Sequence, residues 1–272
     1  MKRFFKVVEK DSDGSAKKPR ETENDAENEE NKKKEPLKFM TWNANSFLLR
    51  VKNNWPDFTN LITTFDPDVI AIQEVRMPAA GAKGASKVPG EIKDDTSAAR
   101  EEKKVLMRAL SAPPFGNYHV WWSLADSKYA GTALLVKKCF KPKSVVFNLD
   151  KLDKPLIWCG DLNVSHEEID VSHPEFFSAA KLNGYIPPNK EDKDMERGFS
   201  WSGNPVGRYR GKRMRIDYFL VSESLKERIV ACEIHGHGIE LEGFYGSDHC
   251  PVTLELSPSS DPQNEDATKQ LS

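Results

Sequence analysis

Apolar runs about one strand long alternate with polar stretches along this chain, and four of the runs border short polar motifs. KFMT leads into Trp42-Asn43-Ala44-Asn45, DVIAI into Gln73-Glu74, and PLIWC into Gly160-Asp161-Leu162-Asn163, while Ser247-Asp248-His249 precedes CPVTLEL. Each run is rich in Val, Ile, Leu or aromatic residues, the pattern of a buried strand. HVWWSLA, GTALLVKK and SVVFNL, separated by residues 126–131 and by Lys141-Pro142, predict neighbouring antiparallel strands, and MRIDYFLVS and IVACEI complete the set.

Helical spacing appears between these runs. Trp55, Phe58, Leu61, Ile62 and Phe65 form one apolar stripe, with Pro56 where a first turn tolerates it. Asp66-Pro67-Asp68 ends that helix. Residues 99–111 read as a second helix with Val105, Leu106 and Leu110 on its apolar side, and residues 174–182 as a short third one. Residues 77–95, rich in Gly, Pro, Lys and Ala, predict a long mobile loop directly behind Glu74. Strands outnumber helices and helices fill only some crossings, so the expected class is α/β, with two sheets packed face to face and helices outside.

Composition sets the boundaries of this fold. Residues 1–37 are dominated by Lys, Glu, Asp, Asn and Ser, which cannot bury enough apolar surface to offset ordering entropy, and residues 257–272 read the same way. The domain is therefore expected over residues 38–256, enough for one sizeable core. A net charge of −2 argues neither for nor against nucleic acid. Cys139, Cys159, Cys232 and Cys250 are widely spaced, which predicts buried free thiols in a reducing compartment rather than a zinc site. No apolar run approaches the length of a membrane span. In the leader, Lys17-Lys18-Pro19-Arg20 and Lys32-Lys33-Lys34 have the layout of a bipartite nuclear import signal, the alternative being an ordinary charged tail. Phe4-Phe5 pairs aromatics in a stretch otherwise poor in them, which suits an anchor for a partner such as a sliding clamp or a repair protein.

A strand that ends in Asn, Asp or Glu delivers that side chain to the rim of its sheet. Four such ends brought together make an oxygen-rich pocket with one histidine, the composition of a hard-cation site for hydrolysis at phosphate. Glu74 and Asp248 are the candidate carboxylate ligands, and Asn43 and Asn45 the candidate neutral oxygens. Asp161 and Asn163 alternate along one strand end and so face one side, where one can take a proton from water while the other holds it. His249 is a cationic or proton-donating group for a phosphoryl oxygen. Asp217 is an acid inside an apolar strand and needs a buried partner, either His249 or a nearby arginine. Residues 208–215, RYRGKRMR, place five cations around a turn that leads to Asp217, either a phosphate-backbone contact or a solvated hairpin tip. Phe199, Trp201 and Met214 line an apolar slot beside the carboxylates or belong to the core.

With WNAN, QE, GDLN, RIDY and SDH standing in this order, residues 38–256 resemble the exonuclease III class of apurinic/apyrimidinic (AP) endonucleases, of the endonuclease/exonuclease/phosphatase superfamily. VWWSLADSKYAGTALLVKK and GDLNVSHEEID point to this class rather than to the superfamily's lipid phosphatases, and the plant-like branch is the nearest match. The resemblance implies a four-layered α/β sandwich and incision of double-stranded DNA 5′ to an abasic site with Mg²⁺ (or Mn²⁺), by a monomer in the nucleus. It implies Asn43, Asn45, Glu74 and Asp248 around the metal, with Asp161, Asn163 and His249 bordering it. Asp161 and Asn163 would hold the attacking water, and His249, backed by Asp217, would contact the phosphate. Lys128 and Tyr129 match a DNA-facing turn. Trp201 falls where the family shelters the flipped-out abasic sugar, and Arg210, Lys212 and Arg213 face the backbone.

The chain departs from this family in three places. Asn45 stands where many members carry Asp, which removes a negative charge near the metal. Only residues 150–154 separate SVVFNL from PLIWCGDLN, where the family places further strands, a covering helix and a Y-x-P-N motif with a catalytic tyrosine. Five residues allow a hairpin but not a parallel crossover, so the GDLN strand needs another neighbour or keeps an open edge. The stretch between Glu191 and Phe199 is also abbreviated. The sequence thus reads as a shortened form with internal segments missing. Two alternatives to an AP endonuclease follow: a form that binds DNA or a partner without turnover, and another phosphoesterase of the superfamily.

Overall fold

The computed structural model describes residues 35–77, 92, 96–124, 130–146, 155–167, 170–172, 198–203, 208–236 and 242–259. The chain divides into two units, 1–34 and 35–272; the first lies outside the described residues, with the leader's basic clusters and Phe4-Phe5. The second contains a mixed six-stranded sheet in the order β3-β4-β2-β1-β10-β9. Its strands are β1 (Lys38–Asn43), β2 (Val69–Gln73), β3 (Tyr118–Ser123), β4 (Thr132–Lys137), β9 (Ile229–Ile234) and β10 (Val252–Leu256). β5 (Ile157–Asp161) and β8 (Asp217–Val221) form a second, two-stranded sheet, and β6 (Trp201–Ser202) pairs with β7 (Arg213–Met214).

Helices α1 (Phe47–Asn53), α2 (Trp55–Phe65) and α3 (Ser97–Ser111) flank the large sheet. The predicted stripe on α2 is core where it matters most, since Phe58 and Ile62 are fully buried and Trp42 stacks on Phe58 with centroids 4.5 Å apart. Thr96 caps α3 by accepting the Ala99 N–H at 3.1 Å, the role for which threonine is suited. No described helix is long and apolar enough to cross a membrane.

The strand expected at SVVFNL does not form over Ser144–Val146, and Val146 is 64% exposed; the rest of that run lies outside the described residues. A strand needs a ladder partner, and β4 already has β3 and β2 on its two edges. β5 finds the different neighbour that its short connection demanded, pairing antiparallel with β8 from Ile157↔Val221 to Asp161↔Asp217. Its other edge has no strand partner among the described residues. The outer face of this reduced sheet leaves Trp158 56% and Leu220 47% exposed, directly opposite one another. The four cysteines are free as expected, but only Cys250 is buried; Cys139, in the turn after β4, and Cys232, on the edge strand β9, are exposed.

Candidate active site

Pairing direction brings the polar motifs to one rim. β1 and β2 run parallel in register Asn43↔Gln73, so their carboxyl ends open together. β10 runs antiparallel to β1, which sets Asp248 and His249, at its amino end, on the same side. The Asp161↔Asp217 pair places the end of β5 against the start of β8. Asn45, Glu74 and Asn163 sit at these ends with φ of 42°, 50° and 52°, left-handed conformations that non-glycine residues adopt at a cost and that cluster at functional sites. Gly160, at φ 143°, permits close approach: a Cβ there would lie 3.3 Å from the Gln73 side-chain nitrogen.

Asn43, 1% exposed, is the hub. Its Nδ2 donates to Glu74 Oε1 at 3.1 Å and to Asp161 Oδ2 at 3.0 Å, and lies 3.5 Å from His249 Nε2. An amide has two hydrogens, so the two carboxylates take them and the histidine contact is the weak one. Asn43 Oδ1 accepts the Asn45 N–H at 3.0 Å. A second strand of contacts joins Asn45 Nδ2 to Asp248 Oδ1 at 2.8 Å and Trp201 Nε1 to Asp248 Oδ2 at 3.3 Å.

His249 and Asp217 form the buried couple that the sequence left open against an arginine partner. Nδ1 and Asp217 Oδ2 are 2.9 Å apart, while Nε2 faces Asp161 Oδ2 at 3.7 Å. Burial alone would strip the imidazole of its proton. The hydrogen bond and charge of Asp217, with the charges of Asp161 and Asp248, outweigh burial and raise its pKa. Burial pushes the Asp217 carboxyl up, against the opposing hydrogen bond and charge of His249. The Asp217 hydrogen bond fixes Nδ1 as the donor, so Nε2 is the nitrogen turned to the rim.

The site's donors are carboxylate and amide oxygens with one imidazole and no thiolate, which suits a hard divalent cation. Asp161, Asp217 and His249 form a group whose ligand atoms all lie within 4.8 Å of one another and could hold a metal ion. Asp217 is committed to His249, so Asp161 is the member of this group open to an ion. Glu74 lies across Asn43 from it but also accepts two bonds from Arg76, one of them from Nε at 3.0 Å. Asn163 is exposed and gives its backbone N–H to Asp161 Oδ1 at 2.9 Å. The structure therefore gathers Asn43, Glu74, Asp161, Asp217 and His249 into one hydrogen-bonded group, and Asn45, Asp248 and Trp201 into an adjoining one.

Met214 pairs with Trp201 across β6 and β7, and Phe199 is buried beside them. Arg210 is exposed at the turn, and Lys212 and Arg213 are half-buried where that turn becomes β7. Tyr209 meets Trp201 edge-on, centroids 6.1 Å apart. Lys128 and Tyr129 lie outside the described residues. Several supporting contacts could not be read from the motifs. Arg76 grips Glu74, Trp42 Nε1 donates to the His249 carbonyl at 2.9 Å, and Ser247 Oγ donates to the Asn43 carbonyl at 2.7 Å. The Trp42 and Ser247 bonds span 207 and 204 positions along the chain, beyond any local pattern.

The profile of the Endonuclease/Exonuclease/phosphatase family matches residues 40–249, the interval that holds every one of these groups. The chain belongs to that family. Within it, the chain falls with the exonuclease III-type AP endonucleases of the plant-like branch. A relative from Arabidopsis thaliana, named DNA-(apurinic or apyrimidinic site) endonuclease, is 56% identical over 356 aligned positions covering 96% of this chain and 98% of the relative. Since 96% of 272 residues is about 261, about 95 positions of that relative have no counterpart here. An exodeoxyribonuclease of Bacillus subtilis is 27% identical over 81% of this chain and all of its own length. The structure of an AP endonuclease from Archaeoglobus fulgidus superposes with a TM-score of 0.51 at 18% identity, covering 82% of this chain and all of that one, a likeness of fold.

Proposed function

We propose that this chain is a DNA repair hydrolase that cuts the phosphodiester 5′ to an abasic site, with accompanying 3′–5′ exonuclease and 3′-phosphodiesterase activity, and that it uses Mg²⁺, with Mn²⁺ as a substitute. The observation that carries this reading is the buried Asp217–His249 couple, whose free imidazole nitrogen faces Asp161 at 3.7 Å on a rim shared with Glu74 and Asp248. Glu74, Asp248 and Asp161, with the amide oxygens of Asn43 and Asn45, would hold the ion, which when bound supplies charge stabilisation at the phosphoryl oxygens. Asp161 accepts the proton of the attacking water, and Asn163 orients that water. His249, held protonated by Asp217, donates from Nε2 to a phosphoryl oxygen. Trp201 and Met214 offer an apolar wall to the abasic sugar, and Arg210, Lys212 and Arg213 hold the backbone. The basic leader clusters support action in the nucleus, as a monomer that a sliding clamp recruits through Phe4-Phe5.

The test is incision of a duplex carrying a single abasic-site analogue. Cleavage 5′ to the analogue that needs Mg²⁺ and disappears in Asp161→Asn and in His249→Asn supports the reading, whereas cleavage that persists in excess chelator sinks it. A second reading has its own observation: among the described residues β5 has one strand neighbour, and about 95 positions of the Arabidopsis relative have no counterpart here. Under it the chain binds abasic DNA without turning over. Salt-sensitive binding with no product even at high Mg²⁺ selects that form.

A further inference from the structure

The couple that drives the proposed chemistry rests on a residue with no assigned task. Ser200 is fully buried, between the elements that supply the two partners. Its Oγ accepts the Ile216 N–H and the Asp217 N–H, each at 3.0 Å. Its backbone carbonyl accepts the Cys250 N–H at 2.9 Å, one residue past His249. Neighbouring contacts continue the zipper, with Trp201 bridged to His249 and the Ser202 N–H on the Asp248 carbonyl at 2.9 Å. Ser200 therefore stitches the start of β8 to the segment that carries His249.

A hydroxyl has one proton and two lone pairs. Both lone pairs of Ser200 are taken by the two amides, so its proton is what remains. Asp217 Oδ2 is on His249, while Asp217 Oδ1 is buried and has no hydrogen-bond partner among the described residues. A buried carboxylate oxygen left alone is costly, and the hydroxyl beside it is a donor in search of an acceptor. We infer that Ser200 is a positioning residue of the Asp217–His249 couple, its hydroxyl proton directed to Asp217 Oδ1 so that Oδ2 stays aimed at the imidazole.

This inference rests on the proposed hydrolase reading for its kinetic arm only, and its spectroscopic arm is independent of turnover. The proton between His249 Nδ1 and Asp217 gives a low-field imidazole N–H resonance in the full chain, identified by its loss in His249→Asn. Ser200→Ala is expected to shift that resonance upfield or lose it to exchange with water, and Ser200→Thr, which keeps the hydroxyl, to retain it. In the incision assay Ser200→Ala should lower kcat about 10- to 100-fold with KM changed less than about twofold, as for other residues that orient a reacting side chain, and Ser200→Thr should recover most of the loss. If Ser200→Ala gives no cooperative melt, Ser200→Cys, similar in size and a poor hydrogen-bonding group, replaces it. A folded Ala or Cys variant with the resonance at its wild-type position overturns the inference. A wild-type chain that shows the resonance but cuts nothing overturns the hydrolase reading alone.

Discussion

Replacing Asn45 by aspartate tests whether the rim is built for a cation. In the wild type, Asn45 Nδ2 donates to Asp248 Oδ1 at 2.8 Å. The exchange removes a hydrogen bond to a charged acceptor, worth about 1.5–3 kcal/mol. It also sets two like charges side by side. If they relax to about 4 Å in an effective dielectric of about 20, they repel by about 4 kcal/mol. Both residues are half-buried, so solvent screens part of this, and the expected loss in chelator is about 2–4 kcal/mol. For a domain of this size that lowers Tm by roughly 5–15 °C. A divalent cation reverses the sign, because the added carboxylate becomes a ligand and its repulsion is neutralised. Melting curves in chelator and in excess Mg²⁺ measure both effects. Asn45→Asp should start lower, gain more from Mg²⁺ than the wild type, and converge on it, while Asp248→Asn should respond little. If Asn45→Asp melts with the wild type in chelator, or gains the same increment from Mg²⁺, the reasoning about this rim is wrong.

Three further outcomes are expected. The raised His249 pKa gives stability that is full below the ordinary histidine value of about 6.5 and is lost as pH rises through the folded value. In chelator the wild type should therefore lose Tm relative to His249→Asn as pH rises above about 6.5, and parallel pH curves would contradict the couple. Trp42→Phe keeps the stack on Phe58 but leaves the buried His249 carbonyl unpaired, costing about 1–3 kcal/mol by urea unfolding; no loss would show that the 2.9 Å bond contributes nothing. Trp158→Ser with Leu220→Ser removes two exposed neighbours, so stability should stay within about 1 kcal/mol while light scattering by concentrated protein falls. A large loss of stability would mean that this face is covered in solution.

The strands ending in the WNAN and GDLN motifs, the α2 stripe and the polar residues of the rim were all legible in the chain, because alternation and helical spacing are local properties. The short link before PLIWC also told correctly that β5 must look elsewhere for a partner, because five residues cannot cross a sheet. SVVFNL misled for a related reason. Its composition suits a strand, but a strand also needs a neighbour to hydrogen-bond, and that depends on the other elements present.

The sequence alone determined which chemistry was available: carboxylates, amides and one histidine at strand ends, with no thiolate among them. Only the tertiary structure decided how they are connected. Whether strand ends share a rim depends on pairing direction and register, which place Asp217 opposite Asp161 and bring His249 between them from 32 residues beyond Asp217. The same assembly put Arg76 on Glu74 and buried Ser200 against Asp217. Single residues of these kinds are uninformative in a sequence, because the desolvation that makes their hydrogen bonds matter exists only once the chain has packed.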